Sequence, residues 1–449
     1  MDNILSKIEK LTIMHDHLTP ELIREKDVKL GLRNPDGTGV VVGITTKGTV
    51  VGYNKIPDKK SPGKYITEPV VGKLFYCGYD VSKIVAELEK SGRFGYDEIV
   101  FLLLTGELPA KKDLAHFSEA LAKRRSLSRT ERRIIMEEFE NDNQMFWLHN
   151  VISEMARGDA TAESRKIEDV LTHSINLIAK CPTVVAYNYC VRKYRKGGNL
   201  KLLRPRADLS TAENFLFLLK GEEPDPYEAR LFDLAMILHA EHGGGNNSTF
   251  AVRTVTSSGA STYMAIAAGV ASLSGPLHGG ANESVMKMMK DLKKNVKDLG
   301  SDKQIRQYLV DVLKRKKGDQ SGKIFGFGHA VYTLSDPRAI IFEYHAKKLA
   351  EKHDCLDEFY LYEKVSQVAV DLLRETKGTI HCPNVDFWSG FIYKMMGIPT
   401  ELFTPIFAMA RVSGWVAHRL EQIVQGKIIR PAYIAVSNRE RDYTAIDKR

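Results

Sequence analysis

From Tyr79 onward the sequence reads almost without interruption in helical periods, and this constrains the fold more than any other feature. Asp97-Glu98 open a short apolar run that Gly106 closes. Apolar residues then recur at helical spacing around 113–124, 131–140, 210–219 and 226–240, and again over 255–272, 338–352, 357–375 and 401–424. Strands do not alternate with these helices and no fixed-period repeat is present, which argues against doubly wound sheets and solenoids. Ahead of them, Ile4, Ile8, Leu11, Met14 and Leu18 predict an opening amphipathic helix that stops at Pro20. Val40 to Ile56, rich in Val and Thr and broken at Lys47-Gly48, predicts a hairpin, with a further short strand near Val70-Val71. The expected class is mainly α, with a minor N-terminal β region over about 38–72.

Composition bounds the partners. The 449 residues are 43% hydrophobic, enough for a large core and against disorder over most of the chain. No Gly/Ser/Pro-rich linker separates autonomous domains. Sixty-five Lys+Arg against 56 Asp+Glu leave a net charge of +9, which suits nucleic acid or any small polyanion equally. The five cysteines form no CxxC pair, so a reduced, cytoplasmic protein without a disulfide framework is expected. Asp2 and Glu9 in the opening segment argue against a signal peptide, and the absence of arginine before Arg24 against a mitochondrial presequence. No apolar run approaches the roughly 20 residues that span a bilayer.

Glycine clusters beside histidine three times: LHAEHGGGNN with His239 and His242, SGPLHGGANES with His278, and FGFGHAVYTLSDPRA with His329 and then Arg338. Each cluster alone is explained by a tight turn; three together point to a site where backbone closely approaches a ligand. Metal is not expected. His239 and His242 share a helical spacing, but no HExxH, Cys/His pairing or acidic cluster completes a ligand set. Nor does a GxSxG elbow offer a nucleophile. Acid–base chemistry fits better. His278 precedes GGANE, where a helix N-terminus would disfavour its protonation, and a neutral imidazole can donate a hydrogen bond to a carbonyl and stabilise a forming enol. Asp386, in CPNVDFWSG beside Phe387 and Trp388, is a candidate desolvated base. In SDPRA, Asp336 can cap a helix with Pro337 in its first turn, which leaves Arg338 at the wrong end of a helix dipole unless an anion meets it. Arg411 and Arg430 follow in FAMARVSGW and KIIRP.

Taken together, PLHGGANE, GFGHAVY followed by DPRA, and PNVDFWSG resemble the citrate synthase family, carrying its catalytic His, His and Asp in the same order. KLFYCGYDV at 73–81, FLLLTGELP at 101–109 and the stretch from GNNSTF to HGGANE extend the likeness; the first seventy or so residues lack a clear counterpart. The resemblance implies a large multi-helical two-domain fold in a homodimer. The large domain would span 1–278 and 391–449, and a small domain 279–390 would close over substrate. It implies condensation of acetyl-CoA with oxaloacetate and water to citrate and CoA, through an enol or enolate and citryl-CoA. His278, His329 and Asp386 would be catalytic, and His242, Arg338, Arg411 and Arg430 would hold oxaloacetate, Arg430 from the partner subunit. Lys323, Ile324, Phe325, Gly326, Phe327 and Gly328 align with the loop that wraps CoA. No metal and no redox cofactor is implied.

The sequence departs from the family in places. Cys77 stands where many relatives have arginine, and Ile380 where many have a lysine near the CoA chain, with Lys377 a possible substitute. His381 and Cys382 lie close to the motif but match no catalytic position and read as packing. Two rivals stand beside this reading. The 2-methylcitrate synthases use propionyl-CoA with the same residues, and one methylene is worth only about 1–3 kcal/mol of discrimination. A basic helical scaffold for nucleic acid would need a basic stripe interleaved with aromatics. The densest basic runs, Lys314 to Lys317 and Lys123 to Arg125, lie away from the glycine–histidine loops and read as solvated helix faces or ends.

Overall fold

The computed structural model describes residues 2–14, 19–58, 65–137, 142–436 and 442–448. Helices α1 (Asp2–Met14) and α2 (Pro20–Glu25) precede a three-stranded antiparallel sheet, β1 (Gly48–Pro57), β2 (Tyr65–Tyr76) and β3 (Tyr79–Asp80). Sixteen further helices follow. In order they are α3 (Val81–Ser91), α4 (Tyr96–Thr105), α5 (Lys111–Ala122), α6 (Arg129–Met136), α7 (Gln144–Met155), α8 (Ile167–Arg195), α9 (Thr211–Lys220) and α10 (Pro226–Ala240). Then come α11 (Asn247–Ser257), α12 (Thr262–Leu273), α13 (Ala281–Asn295), α14 (Asp302–Leu313), α15 (Pro337–Lys352), α16 (Leu356–Lys377), α17 (Val385–Met395) and α18 (Phe403–Gln425). The chain is mainly α, as expected from its periodicity.

Helix α18 is the axis of the core. Its apolar residues run around the whole circumference, so it is buried on every side, between α4, α8, α10, α11 and α12. Ile406, Val412 and Trp415 are fully inaccessible; side chains of this size each favour burial by about 1.5–3 kcal/mol. Because the surroundings are dense, polar groups on α18 are held rigidly, and Arg411, His418 and Arg419 all lie buried there. Helices α13 to α17 pack largely on one another, joined to the rest through α13 on α18 and α15 on α3 and β2.

Several expectations are corrected. Pro20 opens a helix, taking the first turn of α2 behind the Thr19 cap, while the described part of α1 reaches Met14. Leu18 lies outside the described residues. The expected hairpin has a different partner. Residues 40–46 are not a strand; Val41 and Ile44 are more than 80% exposed, and β1 pairs instead with the twelve-residue β2, so the sheet spans 48–80 rather than 38–72. The run 255–272 is two helices, broken where Gly259 adopts φ 89° and Ser261 caps α12. The longest helix, α8, went unnamed among the periodic runs; it is buried on so many sides that its moment is weak. In the basic run at 123–125, Arg125 is not solvated but 2% exposed, donating to the carbonyls of Arg206 and Leu209.

Candidate active site

A cavity of about 820 Å³ opens between α11, α13, α17 and α18, and its walls include His242, His278, His329, Arg338, Asp386 and Arg411. Six residues from segments up to 169 positions apart thus meet in one place. Arg430 is not among them. It lies in the exposed segment after α18.

His278 sits in the turn after α12, closely packed: a Cβ on the neighbouring Gly279 would lie 1.9 Å from the Leu273 carbonyl oxygen. Its Nε2 accepts the Ser248 backbone N–H at 3.1 Å, in the first turn of α11, and lies 3.0 Å from the Ser248 hydroxyl. An acceptor nitrogen carries no proton, so the neutral ring holds its proton on Nδ1. Burial first, and the Arg411 charge second, push the ring down to about 4. Burial and Arg411 thus keep His278 neutral, while the first turn of α11, through the Ser248 N–H, fixes which nitrogen carries the proton.

His329 shows the same device reversed. Its Nδ1 accepts the N–H groups of Val331 at 3.0 Å and Tyr332 at 3.1 Å, which leaves the proton on Nε2. Burial and the Arg338 charge push this ring down to about 4. His242 packs edge-on against it, ring centroids 4.9 Å apart, and burial with Arg338 and His329 holds it well below the usual range. The His242 Nε2 is buried without a partner.

Asp386 occupies the first turn of α17, behind the Asn384 cap. Burial pushes its carboxyl up to about 6, against the pull of Arg338 and Arg411. Its surroundings are more charged than the flanking aromatics suggested, because Phe387 and Trp388 turn fully into the core. Arg338 is met by an anion of its own chain. Asp336 accepts its Nε at 3.0 Å and its Nη2 at 2.8 Å, while capping α15 and also accepting the Val385 N–H at 3.2 Å. Arg411 donates from Nε to the His239 carbonyl at 2.5 Å, and its Nη2 is buried with no partner. Burial pulls it down to about 10, and Glu241 is the main opposing influence. Buried donors without partners are costly, and an anionic ligand in the cavity would satisfy them.

Of the residues expected to wrap a CoA chain, Gly328 alone borders the cavity. Lys323 is exposed, Ile324 belongs to the core, Phe325 packs against it, Gly326 is buried against Phe387, and Phe327 packs on Phe387 with the rings tilted and their centroids 4.8 Å apart. This segment runs beside 382–384: the Gly328 N–H donates to the Cys382 carbonyl, and Asn384 donates to those of Gly326 and Gly328. His381 packs on Gly328 and Cys382 is buried, neither bordering the cavity. Sequence reasoning missed Arg33 and Lys55, which border the cavity from the N-terminal segment and β1. It also missed Ser248 as the partner of His278. Nothing local marks them, since only tertiary folding brings the N-terminal segment over the site. Among the described residues no group of His, Cys, Asp and Glu is arranged to hold a metal, and no helix is long and apolar enough to cross a membrane.

The comparisons agree with one another. The family model described as the citrate synthase C-terminal domain matches residues 39–432. A citrate synthase of Haloferax volcanii is 36% identical over 385 residues, covering 84% of this chain and 93% of its own. Citrate synthase 2 of Bacillus subtilis is 37% identical over 380 residues, 84% of this chain and 91% of its own. Among solved structures, the citrate synthase of Pyrobaculum aerophilum matches with a TM-score of 0.74 at 31% identity, over 91% of this chain and 94% of that one. The Thermoplasma acidophilum enzyme, solved as a ternary complex with carboxymethyl coenzyme A and oxaloacetate, matches with a TM-score of 0.75 at 25% identity, over 94% and 99%.

Proposed function

Because this chain belongs to the citrate synthase family, and is therefore an acyltransferase, we propose that it condenses acetyl-CoA with oxaloacetate to give citrate and CoA. One observation carries the reading: a single cavity holds two imidazoles with opposite fixed tautomers, one carboxyl near neutrality and two buried guanidiniums. The Thermoplasma relative was solved with carboxymethyl coenzyme A and oxaloacetate, which supports a coenzyme A thioester and oxaloacetate as the ligands here.

In this scheme the Asp386 carboxylate takes a proton from the acetyl methyl group. The Nδ1–H of His278 donates to the thioester oxygen and stabilises the enol. A carboxyl at about 6 is ionised at neutral pH yet basic enough to accept a proton, which is what a general base requires. The enol carbon then bonds to the ketone carbon of oxaloacetate. His329 polarises the ketone oxygen through Nε2–H and passes that proton to the new alkoxide, and the proton that Asp386 took from the methyl group returns through water to His329, so that both groups end as they began. His242, Arg338 and Arg411 hold the carboxylates, the free Arg411 Nη2 supplying a donor that the protein leaves open. Water then cleaves the citryl-CoA thioester and CoA leaves as the thiol. No step calls for a metal or redox cofactor.

The remaining assignments belong to the same proposal. Residues 279–390 form the small domain, CoA lies along 323–328, the protein acts as a cytoplasmic homodimer, and the exposed Arg430 serves the partner's site. A thiol-release assay with oxaloacetate tests the reaction, run in parallel with acetyl-CoA and propionyl-CoA. Faster turnover of propionyl-CoA would make the product 2-methylcitrate, and no thiol release with either would overturn the proposal.

A further inference from the structure

We infer that the β1–β2 hairpin is a positioning element for His329, acting through Tyr332, Thr333 and Ser335 to fix the loop that aims its donor N–H; the functional meaning of this aim rests on the reaction proposed above. The β1–β2 ladder runs from Gly48↔Tyr76 to Val51↔Lys73, then slips, and resumes at Tyr53↔Pro69. Gly52 and Gly72 lie at that slip, where a bulge releases backbone groups from strand pairing. The loop after His329 takes up both of them. The Thr333 hydroxyl donates to the Gly52 carbonyl at 2.7 Å, and the Gly72 N–H donates to the Ser335 hydroxyl at 3.1 Å.

The approach is close enough to require glycine on both strands. A Cβ on Gly52 would stand 2.3 Å from the Val331 carbonyl oxygen and 2.8 Å from the Tyr332 Cα. One on Gly72 would stand 2.0 Å from the Ser335 oxygen and 2.8 Å from the Tyr332 ring. Tyr332 is thereby pressed from behind, 1% exposed, against the residues that face the cavity. Its ring centroid lies 4.7 Å from that of His329, 5.6 Å from that of His242 and 5.6 Å from the Arg338 guanidinium. It does not itself border the cavity. Its hydroxyl is buried without a partner, so the ring, not the hydroxyl, makes the contacts. Its backbone N–H, with that of Val331, fixes the proton of His329 on Nε2. The hairpin therefore acts on His329 through a chain of direct contacts: bulge, Thr333 and Ser335, Tyr332, imidazole.

The test compares Tyr332→Leu, Tyr332→Phe and the double variant Thr333→Val with Ser335→Ala. Histidine ¹⁵N spectra read the His329 tautomer, assigned by difference against His329→Gln, and steady-state kinetics separate kcat from the two KM values. Tyr332→Leu and the double variant should show mixed His329 tautomers and a kcat lowered about tenfold or more, as expected when a reacting group is misplaced. The acetyl-CoA KM should stay within about twofold, because His329 faces the other substrate. Tyr332→Phe should restore both the single tautomer and kcat. A single tautomer with wild-type kcat in Tyr332→Leu and in the double variant would overturn the inference, as would Phe behaving like Leu. Should Tyr332→Leu not fold, the double variant decides alone. If the wild-type protein turned over neither acyl-CoA, the proposed reaction would fall, while the tautomer, which is read without substrate, would still decide the hairpin's role.

Discussion

Asp386→Asn should cost activity and raise stability, and the two effects come from one cause. The carboxyl titrates near 3.8 in an unfolded chain and at about 6 in the folded protein, chiefly because burial disfavours its charge. A raised carboxyl holds its proton longer in the folded state. The resulting penalty is absent below the unfolded value, grows as pH rises from about 4 to 6, and is full above that. The shift corresponds to about 3 kcal/mol at pH 8 and about half as much at pH 5. Asparagine never ionises and escapes the penalty, though it gives up about 0.3–1 kcal/mol of attraction to the N-terminus of α17. Among the described residues the carboxylate accepts no hydrogen bond that asparagine would lose. The net expectation is a gain of about 2 kcal/mol at pH 8 that shrinks toward acid. Turnover should fall by about 10²–10⁴-fold, the scale for loss of a general base. Urea melts of both proteins at pH 8 and pH 5, with thiol-release rates, test this. A variant less stable at pH 8, or a gain that grows toward pH 5, would refute the placement of a desolvated carboxylate; retained turnover would refute its role as base.

Below pH 6, kcat/KM for acetyl-CoA should fall about tenfold per pH unit with a slope of one, since of the three groups proposed to react Asp386 titrates at about 6 while His278 and His329 stay neutral to about 4; a slope of two setting in at pH 6 would contradict those assignments. Asp336→Asn strips a buried guanidinium of the carboxylate that pairs with it and should cost about 3–5 kcal/mol in a denaturant melt; a loss under 1 kcal/mol would mean that Arg338 finds another partner. Arg411→Ala and Arg430→Ala should each raise the oxaloacetate KM by roughly one to two orders of magnitude. Mixed under verified subunit exchange, these two variants should regain about a quarter of wild-type activity, because each heterodimer holds one intact and one doubly damaged site. No recovery would place both arginines in one subunit's site.

The candidate-site segments were legible because each is a continuous motif, and their contents survive translation into space: His242, His278, His329, Arg338, Asp386 and Arg411 share one cavity. Helix ends were legible where the caps are local, as at Gly106 after α4 and Asp336 before α15. The sheet was not. Val40 to Thr46 has the composition of a strand, but strand propensity reports a pleated, half-buried surface, and this segment crosses the protein held by polar groups instead. Glu421 accepts the Thr46 N–H at 2.8 Å and Gln425 donates to the Ile44 carbonyl at 3.3 Å. The turn signal that would have corrected the pairing, Ser61-Pro62-Gly63, stands in the sequence between the two true strands. The Ser-Ser-Gly-Ala-Ser break at 257–261 was likewise present and was overridden by the apolar period around it. The pairing of His278 with α11 had no such local signal, because it joins residues thirty apart through tertiary structure.

That pairing explains how the site distributes its protons. Burial first, and then the positive charge of Arg338 and Arg411 on the cavity wall, expels protons from imidazoles, so all three facing histidines are neutral. A neutral imidazole has one proton and two nitrogens, and burial alone does not choose between them. Backbone N–H groups choose. Ser248 occupies Nε2 of His278, while Val331 and Tyr332 occupy Nδ1 of His329, so each ring can donate only from its other nitrogen. The same guanidiniums pull Asp386 downward while burial pushes it upward, and the balance leaves it ionised at neutral pH. Under the proposed reaction the site would hold Asp386 as base and His278 and His329 as donors, and the two imidazoles could not exchange donor atoms without breaking backbone hydrogen bonds. A charged substrate adds nothing to this assignment except the anion that Arg411 Nη2 lacks. Proton placement is thus complete before substrate arrives, as electrostatic preorganisation requires.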